Sequence, residues 1–236
     1  MRQALEASVT FYIFPVTVSS LKLKYGWPIL LWACCAHVYA GGLESLALFL
    51  KTAQSARAPF TQIVTPPSKA GQTAQGKTSS GVFAFIRPHR FRFDYQKPYP
   101  LTLVADGTTL WWYDVDLAQV TARSQAQALG SSPAALIATA SDIAALQKEF
   151  TLQAEPEVEG LQWVFATPKN RDSAIQSVRI GLRVEGASAT LSKLDILDAM
   201  GQRSVLRFDR FETNPANLTA AQFVFVPPKG VDVIQP

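Results

Sequence analysis

The sequence predicts a mainly β protein of the α+β class, an antiparallel sheet with a few helices free to cover its concave side. Three observations carry this expectation. Gly81 to Tyr95 alternates aromatic with small or charged residues around a proline-marked corner. About ten or eleven short strand patterns are separated by turn residues, and an alanine-rich stretch interrupts them midway. A sheet of that many strands tends to curl.

The first forty of the 236 residues read as a leader rather than as part of the fold. Lys22 and Lys24 precede an apolar run from Trp27 to Ala36, and Val38-Tyr39-Ala40 places small residues at a cleavage site. This pattern predicts a secretory signal peptide cut after Ala40, leaving one domain over 41–236. The apolar run is too short to span a bilayer. Leu31-Trp32-Ala33-Cys34 also resembles a lipoprotein cleavage box, although Trp32 stands where a small residue is expected. Removing residues 1–40 takes away both cysteines, Arg2, Lys22, Lys24 and Glu6, and leaves 19 basic against 17 acidic residues. A net charge of +2 gives no reason to expect nucleic acid or another acidic partner. Without cysteine, stability rests on an apolar core and not on disulfides.

Along the mature chain, Leu43, Leu46, Ala47 and Leu50 recur at helical spacing, so Gly41 to Ala58 reads as a helix that Pro59 ends. Phe60 to Val64 reads as a strand, and Thr65 to Lys77 as a polar loop. In the strand over 81–87, Phe83, Phe85 and Arg87 share a face, because side chains alternate with period two. After the corner, Phe91, Phe93 and Tyr95 alternate with Arg90, Arg92 and Asp94. Leu101 to Ala105 and Leu110 to Tyr113 flank Asp106-Gly107, a strong hairpin signal. Trp111 and Trp112 therefore point to opposite faces, and the pattern does not decide which is inward. A short strand follows at 119–123.

Ser131 to Lys148 reads as two short helices, with Pro133 suited to a first turn, Ser141-Asp142 to a cap, and Leu136, Ile137, Ile143 and Leu146 as anchors. Strand patterns resume at 150–154, 161–166, 176–184, 189–197, 203–212 and 222–226, before an extended tail.

Gly71 to Thr78 fits the phosphate-loop pattern G-x4-G-K-[ST], yet it is preceded by Pro66-Pro67 and followed by a strand. That motif needs a strand before it and a helix after it, so nucleotide binding is not expected. One histidine, His89, remains in the mature chain, and neither a G-x-S-x-G elbow nor an H-E-x-x-H pair occurs. The residues thus predict no covalent chemistry, no cofactor and no metal site. The excess of aromatics either packs an ordinary core or lines a concavity for lipid.

Three blocks carry a resemblance to a known family. They are Phe60-x-Gln62, then Gly81 followed by Arg87-Pro88-x-x-Phe91-Arg92-Phe93-x-Tyr95; Asp106-Gly107-x-x-Leu110-Trp111-x-Tyr113-Asp114 with Leu117-x-Gln119-Val120; and Phe223-x-Phe225-x-Pro227-Pro228-Lys229-Gly230-Val231-Asp232-Val233. Together, over 43–234, they resemble the outer-membrane lipoprotein carrier proteins (the LolA family). The resemblance implies an unclosed, strongly curved antiparallel β-barrel of about 11 strands with an α-helical lid over an apolar cavity. It further implies a monomeric periplasmic chaperone, not an enzyme. Such a chaperone takes acylated lipoproteins from an inner-membrane lipoprotein-releasing ABC transporter to an outer-membrane lipoprotein acceptor.

On that reading Phe83, Phe85, Phe91, Phe93 and Trp111 of the sheet hold acyl chains, together with Leu46, Leu50, Leu136, Ile137, Ile143 and Leu146 of the lid. Each CH₂ withdrawn from water contributes about 0.8 kcal/mol. Arg87 is implied to be the lid switch, bonding helix backbone groups when the lid is shut. The rival readings are a lipid-anchored acceptor of the same fold held by Cys34, a periplasmic lipid-binding sensor, or a hydrolase using the same cavity.

Overall fold

The computed structural model describes residues 41–68, 74–128 and 140–235. Helix α1 (Gly42–Thr52) comes first. It is followed by β1 (Ser55–Thr65), β2 (Lys77–Ile86), β3 (Arg90–Lys97), β4 (Leu101–Ala105), β5 (Thr109–Asp114) and β6 (Gln119–Ser124). A single turn α2 (Gln125–Ala128) and helix α3 (Ile143–Glu149) interrupt the strands. Then come β7 (Phe150–Val158), β8 (Leu161–Pro168), β9 (Ile175–Glu185), β10 (Ser188–Asp198), β11 (Arg203–Phe208), β12 (Glu212–Thr213) and β13 (Asp232–Ile234).

All thirteen described strands join one sheet in the order β13-β6-β5-β4-β3-β2-β1-β11-β10-β9-β8-β7, with β12 beside β1. Every pairing is antiparallel except β13 on β6. The two edges, β7 and β13, do not meet, so the barrel is unclosed. The sheet is strongly curled: Trp112 of β5 and Ile196 of β10 line one cleft, although five strands separate β5 from β10.

The first helix is shorter than the sequence predicts, and Ala56 to Pro59 belong to a strand. At Ala53 the apolar period changes from 3.6 to 2: Leu46, Phe49, Leu50 and Ala53 give way to Ala56, Ala58 and Phe60, all buried. Asn214, more than 150 residues away, fixes the stop. Its Oδ1 accepts from the N–H groups of Gln54 and Ser55 at 2.9 and 3.0 Å, and its Nδ2 donates to the Thr52 carbonyl at 2.8 Å. Ladders from Ser55 to Ile86 and from Ala56 to Thr213 then override the helix propensity of the alanines. Pro59 is tolerated inside the sheet because its missing N–H falls where the neighbouring strand is interrupted, between Phe208 and Glu212.

Helix α1 lies across the inner face of β7 to β10. Glu44 in its first turn and Lys51 in its last complement the helix dipole. The approach is close. A Cβ on Gly42 would lie 2.0 Å from the Trp163 carbonyl oxygen, so only glycine fits there. Leu46, Phe49 and Leu50 are buried against the sheet, each worth about 1.5–3 kcal/mol of transfer free energy.

Two further expectations are corrected. The 203–212 pattern is broken into β11 and β12. Residues 222–226 form no strand; a 3-10 turn at Ala220–Phe223 leads into an extended segment on the outer face. Phe225 packs there on Trp111 and Tyr113, with ring centroids 5.5 and 5.9 Å apart. Its apolar alternation thus reflects a segment laid on a sheet face instead of one paired at an edge.

Candidate functional site

The inner face of β1 to β5 follows from the register. Phe83 pairs with Phe93, Phe85 with Phe91, Phe93 with Leu103 and Leu103 with Trp112, and cross-strand partners share a face. Phe83, Phe85, Phe91 and Phe93 are all buried there, with Phe83 and Phe93 rings 4.5 Å apart. Phe60 and Phe208 complete the aromatic floor. From the helices, Leu46, Leu50 and Leu146 are buried against the same interior, and Ile143 packs on it. Leu136 and Ile137 lie outside the described residues. The Asp142 cap is as expected: its Oδ1 accepts from the Ala145 N–H at 2.8 Å.

Trp111 does not lie among these groups. Its partners Val104 and Ala122 share the outer face, where its indole N–H donates to Asp106 Oδ2 at 2.9 Å beneath the Phe225 ring. Burial alone would raise the Asp106 pKa. Bonds from the Thr109 N–H, the Trp111 indole and the Thr108 N–H outweigh burial and hold that carboxyl below the usual range. The tryptophan on the inside is Trp112, 48% exposed at the lip of the cleft.

Arg87 sits at the other end of the interior, 8% exposed. Its Nε donates to the Ala53 carbonyl at 2.8 Å, its Nη1 donates to the Ala140 carbonyl, and its backbone N–H donates to Gln54 O at 2.8 Å. The guanidinium lies between two ring faces, 4.8 Å from the Phe85 centroid and 5.4 Å from that of Phe49. Ala53 caps α1, so its carbonyl belongs to the negative end of a helix dipole. Arg87 therefore ties the end of α1 to the segment leading into α3.

Burial pulls the Arg87 pKa down to about 10, which leaves it charged at neutral pH. Burying one charge costs several kcal/mol. Charge-assisted bonds of about 1.5–3 kcal/mol each and cation–π contacts of about 1–2 kcal/mol return a similar sum. The gains and the cost of placing Arg87 here are thus of the same order.

Sequence reasoning missed the residue that holds this corner. Gln125 is buried; its Nε2 donates to the His89 carbonyl at 2.6 Å and its Oε1 accepts from the Gly107 N–H at 2.9 Å. It joins the Arg87–Arg90 corner to the β4–β5 turn, and a lone glutamine between serine and alanine carries no signal of that.

The interior opens at the far end of β3. Tyr95 lies about 13 Å beyond Phe91 at ~3.3 Å per residue. Gln62, Phe93, Tyr95, Trp112, Ile196 and Ser204 are among the residues lining a cleft of about 450 Å³ there. Its size is that of a small-molecule site. A second hollow of about 480 Å³ mixes Arg183 and Arg207 with Glu185 and Asp209 and offers no continuous apolar wall. The phosphate-loop match gains nothing, since Lys77 opens β2 and no helix follows. Among the described residues no cluster of three or more His, Cys, Asp or Glu could hold a metal ion.

An unclosed half-barrel with an aromatic interior, roofed by a helix that a buried arginine pins, defines a class of protein built to enclose apolar matter. The chain belongs to the LolA family: the profile described as "Outer membrane lipoprotein carrier protein LolA" matches residues 51–226. A protein of Albidiferax ferrireducens called outer-membrane lipoprotein carrier protein is 56% identical over 213 residues, 90% of this chain and 100% of that one. One of the same name from Leptothrix cholodnii is 50% identical over 196 residues, 83% of this chain and 86% of the other. Another, from Neisseria meningitidis serogroup B, is 39% identical over 199 residues, 84% of this chain and 89% of the other.

Proposed function

We propose that this protein is a periplasmic lipoprotein carrier, which takes the acyl chains of lipoproteins leaving the inner membrane and delivers them to an acceptor at the outer membrane. The observation that carries the reading is the aromatic interior roofed by α1 and latched by Arg87 on the Ala53 and Ala140 carbonyls. The names of its relatives point the same way. An inner-membrane ABC transporter as donor and an acceptor lipoprotein as recipient complete the proposal, and no covalent step is part of it.

The same reading assigns the roles. In the form described Phe85 packs on Phe49 of α1, and Phe83, Phe91 and Phe93 are buried in the same core, so on this reading that form is the shut one. Acyl chains enter as α1 and the segment at Ala140 move outward. Burial of each CH₂ stabilises the loaded form by about 0.8 kcal/mol, while the Arg87 bonds are given up. Those bonds re-form on closing and favour release, with the two forms separated by only a few kcal/mol. On this reading the leader directs export, and cleavage after Ala40 leaves Gly41 next to α1.

Arg87→Leu tests the latch in a reconstituted system with acylated lipoprotein, the carrier and the acceptor. The variant is expected to load as well as the wild type and to transfer about tenfold less. Normal transfer removes Arg87 from the mechanism. Intact mass of the exported protein tests the leader: it is expected to begin at Gly41, and an acylated Cys34 identifies an anchored lipoprotein instead.

A further inference from the structure

Inside the open cleft, whose lining is apolar but for these and for Asp198 and Gln202, three polar side chains are joined in a string. Tyr95 Oη donates to Gln62 Oε1 at 2.8 Å, and Gln62 Nε2 donates to Ser204 Oγ at 2.7 Å. The string runs from β3 over β2 to β1 and β11. Between them Gly81 of β2 pairs with Tyr95 and Phe60, and only glycine fits there, since a Cβ would lie 2.0 Å from the Asp94 carbonyl oxygen. The Tyr95 ring leans instead on Phe60, at 5.0 Å. Around the string stand Val64, Leu103, Ile175, Ile196 and Leu206, all apolar.

We propose that this string is the seat of the ester and amide linkages by which fatty chains join an acylated cysteine. The inference rests on the carrier reading and specifies which part of the cargo the cleft holds. Three features of the chemistry support it. With the two internal bonds made, one Nε2 hydrogen of Gln62 and the hydroxyl hydrogen of Ser204 remain for a guest. Ester and amide carbonyls are the acceptors that match them. Among the described residues that line the cleft there is no cation, and the one charged side chain is that of Asp198, whose Oδ1 accepts from the Met200 and Gln202 N–H groups. A phosphate or free fatty carboxylate gains no counter-charge from these residues, whereas a neutral acylglyceryl junction needs none. Burial pushes the Tyr95 hydroxyl up to about 12, so the string stays neutral in any physiological medium.

The test compares two synthetic cargoes as competitors of an apolar fluorescent dye, N-phenyl-1-naphthylamine. One is a tripalmitoylated cysteinyl peptide. The other is its analogue with two ether-linked hexadecyl chains, which lacks the ester carbonyls. Wild-type protein is expected to bind the ester form five- to tenfold more tightly, the worth of about one net hydrogen bond. In Gln62→Leu, and more weakly in Ser204→Ala, that ratio is expected to fall towards one. Ser204→Ala, a deletion of one oxygen, keeps the test available should the other variant fold poorly. Equal affinity of the wild type for both cargoes, or a preference that survives both substitutions, overturns the seat and leaves the carrier reading intact. If neither cargo displaces the dye, the carrier reading fails and the seat with it.

Discussion

The two ends of the interior are built on opposite terms. At the Arg87 end, Phe85 and Phe91 are buried, Phe49 of α1 packs on Phe85, and a buried charge bonds two carbonyls that belong to the roof. At the Tyr95 end, Trp112 is half exposed, and neutral side chains bond one another across a cleft of about 450 Å³. One end is closed by contacts that a guest must break, the other by nothing but its own width. The difference teaches where loading costs free energy. On the carrier reading proposed above, a chain that reaches beyond the open cleft meets packing that has to yield.

Matched substitutions probe that contrast most strongly. Phe91→Glu is expected to lower stability by about 4 kcal/mol or more, because a carboxylate would be buried among phenylalanines with no partner. Trp112→Glu at the open end is expected to cost about 1 kcal/mol or less. Urea unfolding of the two variants checks this, and similar midpoints would erase the distinction between the ends.

A smaller effect concerns pH. Tyr95 has a folded pKa near 12, above its ordinary 10, so its neutral form is favoured by folding. The stability this represents is fully present below about pH 10 and is lost as pH rises towards 12. Absorbance at the tyrosinate band should show one group titrating late in the wild type and absent from Tyr95→Phe.

The smallest effect lies in the roof. Ser45 on α1 is fully buried, and its hydroxyl finds no partner among the described residues. Ser45→Ala should be neutral or stabilising by up to about 1 kcal/mol, read from the thermal midpoint. A loss of stability there would mean that the hydroxyl has a role the roof conceals.

What could be read from the sequence was what is local. Phe83, Phe85 and Arg87 share a face because alternation requires it, and Pro88 marks the corner that brings Phe91 and Phe93 back beside them. The sidedness of Trp111 and Trp112 could not be read, because the connection through Pro98 and Pro100 is irregular and hides which parity β4 resumes. Ser55 to Ala58 looked helical because the spacing of Leu43, Leu46, Ala47 and Leu50 was carried on as far as Pro59 without the strands that claim those residues. Asn214 at the end of α1, Gln125 under the corner and the Gln62–Ser204 bond, 142 residues apart in sequence, all join distant segments. Such contacts have no periodicity to announce them.

Because β7 and β13 never pair, the sheet has a seam. A sealed cylinder of strands could widen only by breaking rungs of its ladder, whereas this one can spread like a cuff while every rung holds. The work of dilation then falls on side-chain contacts of a few tenths of a kcal/mol each or less. The girth of the protein can thus follow the bulk of whatever it encloses.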